Sequence, residues 1–137
     1  CGLTVTEAQG GEELKPNTVY IAQGGFHMSV KNKRIVLDGS DTVNNHKPSV
    51  DVLFHSVKEE FGDKSMAIIL TGMGSDGAKG IAAIKTAGGF TIAQDEESSV
   101  IFGMPGSAIR TGKIDRIIPL SKISDFVNEY VAINKNK

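Results

Sequence analysis

Chemistry in this chain concentrates on Gly72-Met73-Gly74-Ser75-Asp76-Gly77-Ala78, where a carboxylate and a hydroxyl stand among three glycines directly after the apolar run Met66-Ala67-Ile68-Ile69-Leu70. Glycines permit backbone conformations and close approaches that a Cβ blocks, and the helix that restarts near Ala78 points unpaired N–H groups at the same space. Such a turn favours negative charge, permanent or developing. Three uses are open to Asp76. It can cap the helix it precedes, support the turn by an Asx-type bond, or orient a histidine from elsewhere as the third member of a nucleophile, base and carboxylate relay.

Other chemistries fit the turn less well. Gly72-Met73-Gly74-Ser75-Asp76-Gly77 matches the dinucleotide fingerprint letter for letter, and Asp95 follows at the end of the next strand. An ionised Asp76 would occupy the place of the pyrophosphate, however, and like charges a few Å apart in a partly desolvated pocket cost on the order of several kcal/mol. No Lys-Ser or Lys-Thr pair directly follows the last glycine, which excludes a P-loop. Met73-Gly74-Ser75-Asp76-Gly77 misses the nucleophile elbow by its leading Met, and all three histidines, His27, His46 and His55, precede Ser75, against the usual chain order of that motif. Those histidines show neither helical pairing nor a cysteine cluster, so no metal site is expected. His55 reads as a solvated or packed helix residue.

The elements that must carry the turn follow from periodicity. The run 66–70 lacks polar alternation, as expected of the central strand of a parallel sheet. Thr18 to Ala22 reads as a strand ending at Gly24-Gly25, and His27 to Val30 with Arg34 to Leu37 as a hairpin around Lys31-Asn32-Lys33 with one face in water. A helix from Ser49 carries Val50, Leu53, Phe54, Val57 and Phe61 on one stripe and stops at Gly62. A second runs from Ala78 to Gly88, Phe90 to Ala93 is a strand, and Ser98 to Phe102 is ambiguous. A short helix starts at Met104-Pro105, Ile114 to Leu120 is a last strand, and a closing helix presents Ile123, Phe126, Val127, Tyr130 and Val131 before a fraying 134–137. Strands alternating with helices predict an α/β fold with a parallel sheet and right-handed crossovers.

Composition narrows the partners. A chain of 137 residues suits one domain, 1–137, and a net charge of −1 with scattered Lys and Arg leaves no footprint for nucleic acid. No apolar run reaches membrane-spanning length and no secretion signal is present, so no membrane insertion is expected. The lone Cys1 makes no internal disulfide, which points to a reducing compartment.

Leu70 to Ala78, together with Lys47-Pro48-Ser49-Val50-Asp51-Val52-Leu53-Phe54 and Phe102-Gly103-Met104-Pro105, resembles the catalytic domain of bacterial chemotaxis protein-glutamate methylesterases of the CheB type. The resemblance implies a three-layer, Rossmann-like α/β fold with a mostly parallel sheet and an antiparallel hairpin excursion. It also implies serine-type hydrolysis of glutamyl methyl esters, with deamidation of glutamines, on the cytoplasmic helices of methylated chemoreceptors, without cofactor or metal. Asp76 matches the triad aspartate, and the backbone N–H of Met73 matches an oxyanion-hole donor, with Gly72, Gly74 and Gly77 shaping the active-site turn. The family's serine and histidine lie upstream of Cys1, as does its phosphoacceptor regulatory domain. The chain therefore reads as the C-terminal portion of such a domain, cytoplasmic, truncated on its N-terminal side and inactive alone. The alternative is a non-catalytic receptor-interaction module. Strands without their expected neighbours also raise homo-oligomerisation through exposed edges. On this basis Asp76 is expected at the C-terminal edge of the sheet with its carboxylate facing an open crevice.

Overall fold

The computed structural model describes residues 2–134; Cys1 and the last three residues, including most of the expected frayed end, lie outside the described residues. In chain order the elements are β1 (Thr4–Glu7), β2 (Thr18–Ile21), β3 (His27–Lys31), β4 (Arg34–Asp38), α1 (Val50–Phe61), β5 (Met66–Ile69), α2 (Ala78–Thr86), β6 (Phe90–Gln94), α3 (Gly103–Arg110), β7 (Arg116–Ile118) and α4 (Leu120–Asn134). The strands form a parallel pair β1-β2, an antiparallel pair β3-β4, and a parallel sheet in the order β5-β6-β7. The α/β character, the parallel pairing and the hairpin agree with expectation. The fully exposed β1, Thr-Val-Thr-Glu, was not anticipated.

One placement differs from the sequence reading. Among the described residues the strand at the centre of its sheet is β6, buried along nearly all its length, whereas β5 pairs with β6 alone. Accordingly β5 alternates between half-buried Met66 and Ile68 and buried Ala67 and Ile69. Its second edge, like that of β2, has no strand partner among the described residues, and Val19 and Ile21 are left exposed. This is the bare edge anticipated for a sheet lacking neighbours.

Helix α1 is the wall shared by two cores. Val50, Phe54 and Val57 pack on Ala67, Ile69, Ile81 and Ile84 beneath α2. Leu53, Val57 and Phe61 pack on Met28, Val30 and Ile35 of the hairpin. The predicted stripe does face inward, but each of its members is only half-buried; the one fully buried residue of α1 is Asp51. A third cluster joins Ile92, Ile118 and Ile123, with Phe90 against Tyr130 at 4.5 Å between ring centroids. The α4 stripe therefore ends at Tyr130, and Val131 is exposed.

Polar clamps fix the helices to the strands. The β3-β4 turn runs through Asn32 and Lys33, both at positive φ, as a two-residue hairpin loop requires. Its two N–H groups donate to the Glu60 carboxylate of α1, each at 2.9 Å. Across the molecule Lys85 of α2 pairs with Asp115 at 2.6 Å. Burial works to raise the Asp115 carboxyl but is outweighed by Lys85 and by Thr91, which hold it below the usual aspartate range.

The α1-α2 crossing generates a test. A Cβ built on Gly80 would lie 2.6 Å from Phe54 Cβ and 3.3 Å from Asp51 Cα, neither of them a movable side-chain tip. Alanine there gains up to about 1 kcal/mol of helix propensity but overpacks the crossing, at a cost of roughly 1–3 kcal/mol or more. Gly80→Ala should therefore lower the chemical-denaturation midpoint despite improving the helix; a raised midpoint would show that the helices slide apart freely.

Candidate active site

Strand β5 ends at Ile69, and the glycine turn begins three residues later, at Gly72. Thr71 N–H donates to Gln94 Oε1 at 2.8 Å, which fixes the exit from β5 to the end of β6. Gly72 N–H then donates to Ile101 O at 3.0 Å and Met104 N–H returns to Gly72 O at 2.9 Å. The segment 101–104, which overlaps the ambiguous stretch 98–102, is thus a backbone splint for the turn. Gly103 is part of that splint because any Cβ there would lie 2.9 Å from Gly72 O and from Gly74 N. At the far end Gly77 adopts φ +97°, and a side chain on it would collide with Ile69 and Val50.

Within this frame Met73 projects outward, 74 % exposed. Among the described residues its N–H has no protein acceptor, as an oxyanion donor requires. Ser75 is also exposed. Asp76 is different: it lies beyond the C-terminal end of β5 as expected, but its carboxylate is 3 % exposed and does not face an open crevice. Nor does it cap α2, whose N-cap Gly77 makes no side-chain bond. It turns instead into the N-terminus of α1, a helix that starts 26 residues earlier.

There it is held by four donors. Val50 N–H reaches Oδ2 at 2.7 Å. Oδ1 accepts from Ser49 Oγ at 2.8 Å, from Asn44 Nδ2 at 3.0 Å and from Asp51 N–H at 3.3 Å. The first N–H groups of α1 have no intrahelical acceptors, so a carboxylate supplied from another loop completes the helix and meets the positive end of its dipole. Burial works to raise the Asp76 carboxyl. The bonds from Asn44, Val50, Ser49 and Asp51 outweigh it, and the group titrates below the ordinary aspartate value.

The sequence reading gives no site role to Ser49 or Asn44, the two side chains that bond to Asp76. Ser49 is 1 % exposed, and its N–H donates to His27 Nδ1 at 3.2 Å. His27 Nε2 lies 2.8 Å from the Asp41 carbonyl, which can only accept, so the proton is assigned to Nε2 and Nδ1 is left bare for Ser49. His27 is therefore a buried structural histidine. Asn44 sits in the turn Val43-Asn44-Asn45-His46, closed by reciprocal backbone bonds and with both asparagines at positive φ. The one sequence signal for it was that Asn-Asn pair, since asparagine tolerates the left-handed region better than most residues. The same turn brings His46 Nε2 to 3.9 Å from the position a Cβ would take on Gly74. His55 is exposed on α1. Asp95, the acidic residue of the dinucleotide reading, closes its own turn by accepting the N–H and hydroxyl of Ser98.

The lowered Asp76 pKa has a measurable sign. In the unfolded chain the group protonates around its ordinary value of about 3.9, while in the folded protein it stays ionised to lower pH. Its contribution to stability is complete above the unfolded value and is lost as pH falls through the folded one. Asp76→Asn removes that contribution and opposes an amide to donors, costing about 2–3 kcal/mol at neutral pH. The variant should therefore show a shallower acid limb of stability below about pH 5 as well as a lower plateau. A lower plateau with an unchanged acid limb would show that Asp76 is not ionised in its cradle.

Comparison with known proteins places this geometry. The family model described as CheB methylesterase matches residues 1–127. The protein-glutamate methylesterase/protein-glutamine glutaminase of Bordetella pertussis is 52 % identical over 130 residues, covering 91 % of this chain and 37 % of that protein. The Salmonella typhimurium protein of the same name is 46 % identical over 128 residues, 90 % of this chain and 37 % of that one. The chain thus spans little more than a third of the length of these relatives. The crystal structure of the Thermotoga maritima CheB methylesterase catalytic domain superposes with a TM-score of 0.89 at 46 % identity, over 94 % of this chain and 70 % of that one. Among the described residues no helix is long and apolar enough to cross a membrane, and no cluster of ligating side chains could hold a metal ion. The chain belongs to the CheB methylesterase family.

Proposed function

We propose that the chain supplies the carboxylate and one oxyanion donor of a Ser-His-Asp esterase that hydrolyses glutamyl methyl esters, and deamidates glutamines, on chemoreceptor cytoplasmic helices. The nucleophilic serine and the histidine belong to the part of the family that this chain does not span, as does a phosphoacceptor domain that regulates access. The observation that carries the reading is the buried Asp76 carboxylate, held ionised by four donors three residues beyond the exposed Met73. The names of the relatives supply the substrate class.

On this reading, roles fall to individual atoms. A carboxylate offers about four lone-pair positions. Oδ1 already accepts three bonds and Oδ2 one, so the histidine N–H is received at Oδ2. Asp76 then fixes the imidazole tautomer and stabilises the imidazolium that forms when the serine hydroxyl attacks the ester carbonyl. The tetrahedral oxygen takes the Met73 N–H, methanol leaves on collapse, and water releases the acyl group from the serine by the reverse sequence. With a glutamine substrate ammonia leaves in place of methanol.

In the full-length enzyme Asp76→Asn should lower kcat by about 10⁴ with methylated receptor as substrate. Activity within tenfold of wild type, measured as methanol release, would overturn the triad role. The 137-residue chain alone should release no methanol beyond a scaffold lacking the site; turnover near that of an intact family member would place nucleophile and base within this chain.

A further inference from the structure

We propose that Asn44 is the positioning residue of this site: its amide bridges Asp76 and Asp51 and sets the carboxylate plane so that only Oδ2 remains for the base. The inference rests on the triad reading and deepens it. Asn44 Nδ2 lies 3.0 Å from Asp76 Oδ1 and 2.7 Å from Asp51 Oδ2. Two carboxylate oxygens can only accept when ionised, so the atom between them is the amide nitrogen, with one hydrogen for each. Among the described residues no other side chain bonds to both acids.

What Asn44 bridges matters to the register of the site. Asp51 Oδ1 accepts the Gly80 N–H of α2 at 2.7 Å, while Asp76 receives the first N–H groups of α1. The amide thus connects the carboxylate that ties α1 to α2 with the carboxylate that performs the chemistry. Without it the two carboxylates lose the one donor they share. Repulsion would then turn Asp76 about its Cβ–Cγ bond, moving the one free lone pair off the line to the base. Two features select asparagine here: φ of +54°, which most side chains resist, and the need for two hydrogens on one atom. Aspartate would meet the first requirement and add a third carboxylate; glycine meets it and deletes only the amide.

The titratable groups around the cradle are Asp51 from α1, His27 from β3 through the Ser49 N–H, and His46 from the turn beside Gly74. All remain in place in Asn44→Gly, so the variant isolates the bridge. In the full-length enzyme Asn44→Gly should lower kcat for methanol release by roughly tenfold or more, with KM changed less than twofold, as misplacement of a catalytic group does. The acid limb of kcat/KM should also move to higher pH by about half a unit, because a carboxylate relieved of a donor holds the imidazolium more strongly. Asn44→Ser, able to serve only one acid, should fall between, and provides the same readout if the glycine variant does not fold. Asn45→Gly, the neighbouring left-handed position, should match wild type. Unchanged kcat and acid limb in Asn44→Gly, in an enzyme that Asp76→Asn inactivates, would overturn the proposal and leave the triad standing. Full activity in Asp76→Asn would remove both.

Discussion

The bond from Val50 N–H to the Asp76 carboxylate is the interaction on which the arrangement of this chain depends. Leaving the first turn of α1 uncapped would strand several N–H groups in a buried place, and leaving Asp76 without donors would bury an uncompensated charge; either alone costs several kcal/mol. Joined, each satisfies the other. Because α1 is also the wall between the hairpin core and the α2 core, fixing its N-terminus against the end of β5 fixes the two halves of the chain together. Its other end is secured by the same logic reversed, with Glu60 receiving the N–H groups of the hairpin turn.

Much of this was legible in the amino-acid order. Local signals such as the Asn32-Lys33 turn, the Gly62 stop, the Met104-Pro105 helix start and the apolar stripes report on neighbours in sequence, and each element they announced is present. The glycine-flanked Asp76 stood out for the same reason. What it touches did not, because Asn44 and Ser49 lie 32 and 27 residues away and their roles arise only from folding. The stripe read for α1 leaves Asp51 out, yet Asp51 is the most buried residue of that helix, bonded to the Gly80 N–H. The crevice expected around Asp76 is closed because a helix N-terminus competes for the same carboxylate. The central position assumed for β5 failed for a related reason: apolar composition tells that a strand is covered, not which neighbour covers it.

His27 illustrates how a residue with chemical potential is retired into structure. With Nε2 donating to a carbonyl and Nδ1 accepting a backbone N–H, both ring nitrogens are committed, and the ring is enclosed at 2 % exposure. It serves Asp76 at one remove, by holding the backbone of the residue whose hydroxyl reaches Oδ1. The contacts are thus layered: hairpin to Ser49, and Ser49 to Asp76.

That Asp76 anchors the start of α1, besides its place in the proposed triad, has a consequence for descent. Selection for folding alone is enough to preserve it, so a lineage that lost its nucleophile would still carry the aspartate, the serine and the asparagine that hold it. Persistence of this acid in a distant relative is therefore evidence of shared architecture and is silent about turnover. Loss of the acid is informative in the opposite way, since it removes a helix anchor, and a viable descendant must have rebuilt the start of α1 by other means.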